Sequence, residues 1–224
     1  MVRDHGKITR VGARAAMDSR VTAVIDRLTR RSQSEQEELA ELNRRGAPFV
    51  REAAPRLMLD VGGEVGRLLN MLTRACNAKV VVEIGGSVGY STLWFAEAAR
   101  TTGGTVFSIE PDPLKRRQQE ENLRAAGLLE HVSMIDGDAR DVISDLPRPF
   151  DLVLIDHWKD LYIREFDQVW PRMRKGGLVI ADNILRPDAT LDRMKAYVAH
   201  VRSVAPDLSM TLDVGAGIEI TTRG

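Results

Sequence analysis

The chain has little that would place it outside an ordinary aqueous compartment. It has one cysteine among 224 residues, Cys76, so an internal disulfide is excluded, and this thiol is expected as a small buried residue. It has no excess of either charge. Lys plus Arg and Asp plus Glu each number 32, and a net charge of zero argues against a general nucleic-acid binder, which carries a basic surplus. No apolar stretch approaches the roughly 18 residues that a membrane helix needs. The opening "MVRDHGKITR" lacks the apolar segment of a secretory signal. There is no internal repeat and no low-complexity tract. Together these absences fit a soluble cytoplasmic protein with neither membrane nor nucleic acid as partner. Hydrophobic residues make up 43%, enough to bury a sizeable core in one large α/β domain or two small ones.

From residue 79 onward, short apolar runs alternate with amphipathic stretches. The runs are "KVVVEI" (79–84), "TVFSIE" (105–110), "HVSMID" (131–136), "DLVLID" (151–156) and "GLVIAD" (177–182). Their continuous apolar character predicts strands covered on both faces, as in a parallel sheet. "DPLKRRQQEENLRAAG" carries helix start and stop signals at its ends, and Pro171 is expected to kink or shorten the helix of "LYIREFDQVWPRMRKGG". The alternation predicts a doubly wound α/β fold. After a helix near 188–203, "LSMTLDV" and "GIEITTR" read as a closing strand pair joined through Gly215 and Gly217. Residues 1–50 are helical in propensity and heavily charged, with Ala16, Val21, Val24, Ile25 and Leu28 forming a partial apolar stripe. Two readings stand for this extension, a surface helix pair packed on the 51–224 domain, or a lid or dimer contact.

"VVEIGGSVGYS" (81–91) follows the first strand and opens a helix. Gly85 and Gly86 permit a tight turn and Gly89 close packing, so a helix N-terminus faces whatever lies above the strand. The first glycine of a dinucleotide fingerprint falls on Ile84, which disfavours a pyrophosphate, and so a nicotinamide-dependent oxidoreductase. Glu83, just before the turn, would repel phosphates and attract a cationic amino group, as in the methionine part of S-adenosylmethionine. Glu110 ends the second strand, where a carboxylate accepts hydrogen bonds from ribose hydroxyls. Asp138 and the backbone around Ala139, in "DGDAR", are placed to meet an adenine amine.

Asp156 ends the fourth strand, and Asp182 and Asn183 end the fifth. Neighbouring strands lie roughly 4.8 Å apart, so these ends present side chains to one point. Two carboxylates and an amide oxygen suit a hard octahedral cation such as Mg²⁺. Lys159, on the loop leaving the strand, loses proton affinity beside such a cation and becomes a candidate general base. Trp158 offers a flat face to an aromatic ring or to adenine. His157 either covers the cofactor or caps the strand, whereas His5, His131 and His200 read as surface or structural.

These residues resemble the small, metal-dependent O-methyltransferases, most closely those acting on catechols. "E-I-G-G-S-V-G-Y-S", "D-H-W-K-D-x-Y" and "A-D-N" carry the likeness in order and spacing, over roughly residues 57–220. The resemblance implies a class I, Rossmann-like, mostly parallel seven-stranded sheet with an antiparallel last strand and N-terminal helices. It implies that Val61 lies against the cofactor, that Glu83, Gly85, Ser87 and Ser91 hold its methionine end, Glu110 its ribose, and Ala139 with Arg140 its adenine, with Asp156, His157 and Trp158 completing the cofactor contacts. It further implies Mg²⁺ on Asp156, Asp182 and Asn183, proton removal by Lys159, and a substrate held by Trp158, Lys159, Asn183, Pro187 and Glu219. Leu57 and Leu59 depart from a tryptophan and a methionine in the family, so the pocket is expected to be wider or to be closed by the N-terminal helices.

The sequence therefore points to methyl transfer from S-adenosylmethionine to a hydroxyl of a catechol-like small molecule, with Mg²⁺ or a similar divalent cation and with a homodimer through the N-terminal helices. The alternatives are an O-methyltransferase on a bulkier phenol, of hydroxycinnamoyl or antibiotic type, and a non-catalytic S-adenosylmethionine-binding protein.

Overall fold

The five apolar runs form the centre of one sheet. A computed structural model describes residues 17–224, and His5 and Ala16 lie outside them. Strands β1 (Val80–Ile84), β2 (Thr105–Ile109), β3 (Val132–Ile135), β4 (Phe150–Ile155) and β5 (Met173–Ala181) are parallel. Strand β7 (Ile218–Thr222) runs antiparallel between β5 and the edge strand β6 (Ser209–Leu212), giving the order β3-β2-β1-β4-β5-β7-β6. The order reverses between β1 and β4, and the carboxyl ends of strands on either side of such a point open a crevice for ligands. Gly85, Glu110, Asp156 and Asp182 each immediately follow one of the strands flanking it.

β4 is buried along its whole length, as its two-sided covering requires. One face packs against α3 (Gly62–Ala75), α4 (Tyr90–Thr102) and α5 (Pro113–Ala126). The other packs against α6 (Ala139–Val142), α7 (Tyr162–Val169) and α8 (Leu191–Val204). Asp112 caps α5 by accepting from the Leu114 amide at 2.8 Å, and Gly127, at φ 67°, closes it. α7 stops at Val169, and Trp170–Arg172 tighten into a 3₁₀ turn around Pro171.

The N-terminal segment is one long helix, α1 (Ser19–Arg45), and a short one, α2 (Ala47–Ala53), separated by Gly46 at φ 110°. Val21, Val24, Ile25 and Leu28 are buried in the same apolar core as α4 and β1, each contributing roughly 1.5–3 kcal/mol of burial. The distal part of α1 instead joins α2 and Leu57 in a small separate cluster through Leu42 and Ala53. Residue 50 falls within α2. Among the described residues no helix is long and apolar enough to cross a membrane.

Candidate active site

Above the carboxyl ends of β1, β2, β4 and β5 lies a cavity of about 420 Å³. Ser87, Glu110, Ala139, Asp156, Trp158, Lys159, Asn183 and Pro187 all face it, and Leu39, Val50 and Arg51 of α1 and α2 close one wall. A smaller cavity of about 270 Å³ adjoins it through Leu39, Leu59 and Asp60, and Val61 and Asp182 border that one.

The turn after β1 is fixed by backbone. The amides of Gly85 and Gly86 both donate to the Ile109 carbonyl, at 3.0 and 3.2 Å. Gly85 has φ 100°, and a Cβ there would lie 2.1 Å from the carbonyl oxygen of Asp156, so only glycine fits. The Ser87 amide donates to Glu110 Oε2 at 2.9 Å and the Asp112 amide to Glu110 Oε1 at 2.9 Å. Glu110 is thus held rigidly with its carboxylate at the cavity edge.

Two of the expected methionine-end ligands are turned away. Residues alternate across a strand, so with Ile84 at the cavity Glu83 points to the opposite face. There its fully buried carboxylate accepts from Ser91 Oγ and Thr92 Oγ1, each at 2.6 Å, and from Ser108 Oγ. Burial raises its pKa and the three hydroxyls oppose that rise. Glu83 and Ser91 therefore brace the glycine loop from beneath rather than meeting a ligand amino group. Arg140 is also corrected. Its side chain is exposed and paired with Asp138 at 3.0 Å, its amide is taken by Asp138 Oδ1 at 2.9 Å, and only Ala139 and Asp138 of that turn face the cavity.

The β4–β5 side is differently equipped. Lys159 Nζ lies 3.3 Å from Asp156 Oδ1 and donates to the His157 carbonyl and the Tyr162 hydroxyl, each at 2.8 Å. Tyr162 in turn donates to the Asp182 carbonyl at 3.3 Å. Asp182 is only 1% exposed, yet its Oδ1 has no hydrogen-bond partner. Burial, and then the charge of Asp156, push its carboxyl well above the ordinary carboxylate range, while Lys159 pulls it back. Asn183 holds φ 59°, one of three non-glycine site residues with Leu59 and Ser87 in the left-handed region, a strain that tends to collect at functional sites.

An orphaned buried carboxylate oxygen, a second carboxylate close enough to perturb it and a neighbouring amide fit a hard divalent cation. Asp156 and Asn183 border the larger cavity and Asp182 the smaller one. Among the described residues no three His, Cys, Asp or Glu side chains are grouped for a metal, so any such site would be a carboxylate pair completed by an amide.

Trp158 lines the mouth beneath Arg51, whose guanidinium lies 4.5 Å from the ring centre and pairs with Asp160 at 2.7 Å. His157 faces the cavity and stacks on Tyr162, with centroids 5.7 Å apart. Glu219 does not reach the cavity. Its register opposite Ala181 directs it to the α8 face, where it is fully buried and accepts from Arg202 at 3.0 and 3.3 Å and from Ser209 at 2.7 Å. The expected contact with a substrate hydroxyl is therefore not made by this residue. Leu57 is buried in the small N-terminal cluster and borders the smaller cavity, whereas Leu59 borders both. Two residues gained no role from the sequence, Tyr162, which closes the "DHWKDLY" stretch, and Asp60, which borders both cavities and whose pKa is raised by burial.

With this geometry in hand, likeness to known proteins becomes informative. The methyltransferase domain family matches residues 82–184, which hold the glycine loop, Glu110, Asp156, Lys159, Asp182 and Asn183. The chain is similar to the catechol O-methyltransferase of Niastella koreensis, with 33% identity over 138 residues, covering 60% of this chain and 62% of that one. It is likewise similar to the catechol O-methyltransferase of Mycobacterium tuberculosis, with 32% identity over 136 residues, covering 60% and 61%. The chain thus spans about three fifths of the length of these curated relatives. The O-methyltransferase TomG of Streptomyces achromogenes, solved in complex with SAM, superposes with a TM-score of 0.69 at 23% identity, covering 93% of this chain and 92% of that one. At that identity the likeness establishes the fold alone, a Rossmann-like α/β sheet.

Proposed function

We propose that this methyltransferase transfers a methyl group from S-adenosylmethionine to one hydroxyl of a catechol-like small molecule, with Mg²⁺ or a similar divalent cation. One observation carries the reading. Lys159, Asp156 and Asn183 border the same cavity as Ser87 and Glu110, so a proton acceptor, candidate metal ligands and a candidate ribose ligand converge on one space. S-adenosylmethionine would supply the methyl group from its sulfonium. Glu110 would take the ribose hydroxyls, and Gly85, Ser87 and Val61 would border the methionine end. When bound by Asp156, Asp182 and Asn183, a divalent cation would hold both catechol oxygens and lower the pKa of the one methylated.

The chain's own part is proton removal and alignment. Lys159 Nζ accepts the phenolic proton, and its contact with Tyr162 keeps it directed at that position. Trp158 and Pro187 flank the ring. Much of the rate is then expected from holding the nucleophile at about 3 Å from the methyl carbon in a water-poor cavity.

A bulkier phenol is the second reading, supported by the cavity wall that α1 and α2 build from Leu39 and Val50. A homodimer and a cytoplasmic location remain parts of the proposal, and light scattering tests the former. The test of function is mass spectrometry of catechols and hydroxycinnamoyl compounds incubated with enzyme, S-adenosylmethionine and Mg²⁺, with and without chelator. A methylated catechol that disappears with chelator is expected. Full turnover in excess chelator removes the metal, and turnover of bulky phenols alone moves the reading to the second class.

A further inference from the structure

A lysine that accepts a proton needs a direction in which its nitrogen is free. Beyond Cε, a charged lysine nitrogen has three N–H bonds, and a neutral one has two and an electron pair, all set tetrahedrally. Around Lys159 Nζ each of the three directions meets an acceptor. The His157 carbonyl and the Tyr162 hydroxyl both stand at 2.8 Å, and Asp156 Oδ1 stands farther off at 3.3 Å. The two close contacts are the ones that hold the nitrogen. The long one points to Asp156, which borders the large cavity.

Tyr162 is built as a fixed acceptor. It is the first residue of α7 and is fully buried, with no face on the cavity. Its ring stacks on His157 with the planes 14° apart, and Tyr197 meets it edge-on with centroids 5.5 Å apart. A ring held on two sides puts its oxygen at one point. The hydroxyl proton is directed at the Asp182 carbonyl, 3.3 Å away, so what the oxygen offers Lys159 is an electron pair. Because Tyr162 does not reach the cavity, it meets no acceptor molecule and acts only through the lysine.

We propose that Tyr162 is a positioning residue for methyl transfer. Together with the His157 carbonyl it holds two N–H bonds of the Lys159 amine, and so turns the nitrogen's electron pair towards Asp156 and the cavity. The inference rests on the reading of Lys159 as the proton acceptor and adds what aims it. An acceptor oxygen that displaces the long Asp156 contact gives its proton to that pair. The O–H bond breaks, an N–H bond forms, and the phenolate keeps the electrons with which it attacks the methyl carbon. The hydrogen bond to Tyr162 is the same before and after. Without the hydroxyl the amine turns about one remaining anchor, and its pair is no longer aimed.

The test is single-turnover methylation of an ordinary catechol and of an acidic nitrocatechol, at saturating S-adenosylmethionine and Mg²⁺, by Tyr162→Phe, Lys159→Met and the double variant. Tyr162→Phe should slow the ordinary catechol roughly tenfold, the scale of one hydrogen bond to a charged group, with half-saturation moved less than about twofold. The nitrocatechol, already ionised, should slow by less than about twofold. In the Lys159→Met background the same change should cost nothing further, since the two side chains act as one unit. Equal losses on both catechols, or losses that add in the double variant, make Tyr162 structural and overturn the inference. A slow Lys159→Met beside a parent-like Tyr162→Phe overturns it while leaving the base in place. Parent-like turnover by Lys159→Met overturns the reading of the base, and this inference with it. Should Tyr162→Phe not fold, fluorotyrosine at position 162, a weaker acceptor, must slow the ordinary catechol more than the nitrocatechol, and an equal effect on the two overturns the inference.

Discussion

Glu83 and Glu110, at the ends of β1 and β2, have a donor on every carboxylate oxygen, whereas Asp182, at the end of β5, keeps Oδ1 buried with none. All three are at most 7% exposed. Burial alone therefore does not separate a bracing acid from a binding one. A satisfied carboxylate has spent its lone pairs within the fold and stiffens what surrounds it. An unsatisfied one keeps them for something that arrives, at a cost to the empty protein. Glu219, with Arg202 and Ser209 on its oxygens, belongs with the first kind although its motif suggested the second.

The contrast is open to attack from both sides. The largest effect is expected on the β4–β5 side. Lys159→Met should lower single-turnover methylation of an ordinary catechol by roughly 10²–10⁴, the range of acid–base catalysis, with a melting temperature close to the parent's. An acidic nitrocatechol, already ionised, should recover much of that loss. Asp182→Ala should lose at least as much and recover nothing on the acidic substrate. Parent-like turnover by Lys159→Met at neutral pH would reduce the lysine to a partner of Asp156.

On the braced side the loss should be structural. Glu83→Ala leaves three buried hydroxyls without their acceptor and is expected to cost about 3 kcal/mol in denaturant unfolding, with cofactor affinity per folded molecule little changed. The opposite result, intact stability with lost affinity, would return Glu83 to the ligand-binding residues. Glu110→Ala falls between the two kinds, because its oxygens are satisfied yet border the cavity. It should weaken S-adenosylmethionine by roughly 1.5–3 kcal/mol, and unchanged affinity in a calorimeter would leave it as a brace alone.

The smallest effect concerns the empty protein. Because folding raises the Asp182 pKa, the folded chain binds that proton more tightly than the unfolded chain. The stability linked to the group is complete below the unfolded carboxylate pKa of about 3.9 and is lost as pH rises through the raised value. Asp182→Asn should therefore stabilise the metal-free protein by about 1 kcal/mol at pH 8, and the gain should fade towards pH 4. Thermal melts across pH in chelator measure it, and a gain independent of pH would mean that charge is not the cause.

How much of this was legible in the sequence depended on what the chain had to encode. Strand ends were plain, because a strand buried on both faces reads as an unbroken apolar run and the first acid after it marks the edge of the sheet. In the structure Asp156 and Glu110 border the large cavity and Asp182 the smaller one beside it. Side-chain direction was not plain. Glu83 lies one residue from cavity-facing Ile84 and points the other way, and the face chosen by Glu219 depends on its register with β5 and on Arg202, seventeen positions earlier. Tyr162 and Asp60 needed three-dimensional placement, since nothing local reveals what a hydroxyl or a carboxyl will meet. The stripe on α1 was visible, but not the break at Gly46, which turns α2 over the cavity.

The close approach of Gly85 to the Asp156 carbonyl has a consequence for variation. The loop on the donor side and the strand end on the acceptor side touch through main chain, with the Asp156 amide also bonded to the Ile84 carbonyl at 3.0 Å. Their spacing is therefore set by the backbone, independently of the side chains around it. Residues of the walls, including the whole face supplied by α1 and α2, are free to drift towards acceptors of other shapes while the separation across which a methyl group would pass stays calibrated. Even one added methyl at Gly85 would upset that calibration, whereas a change of wall would alter only which molecule is admitted.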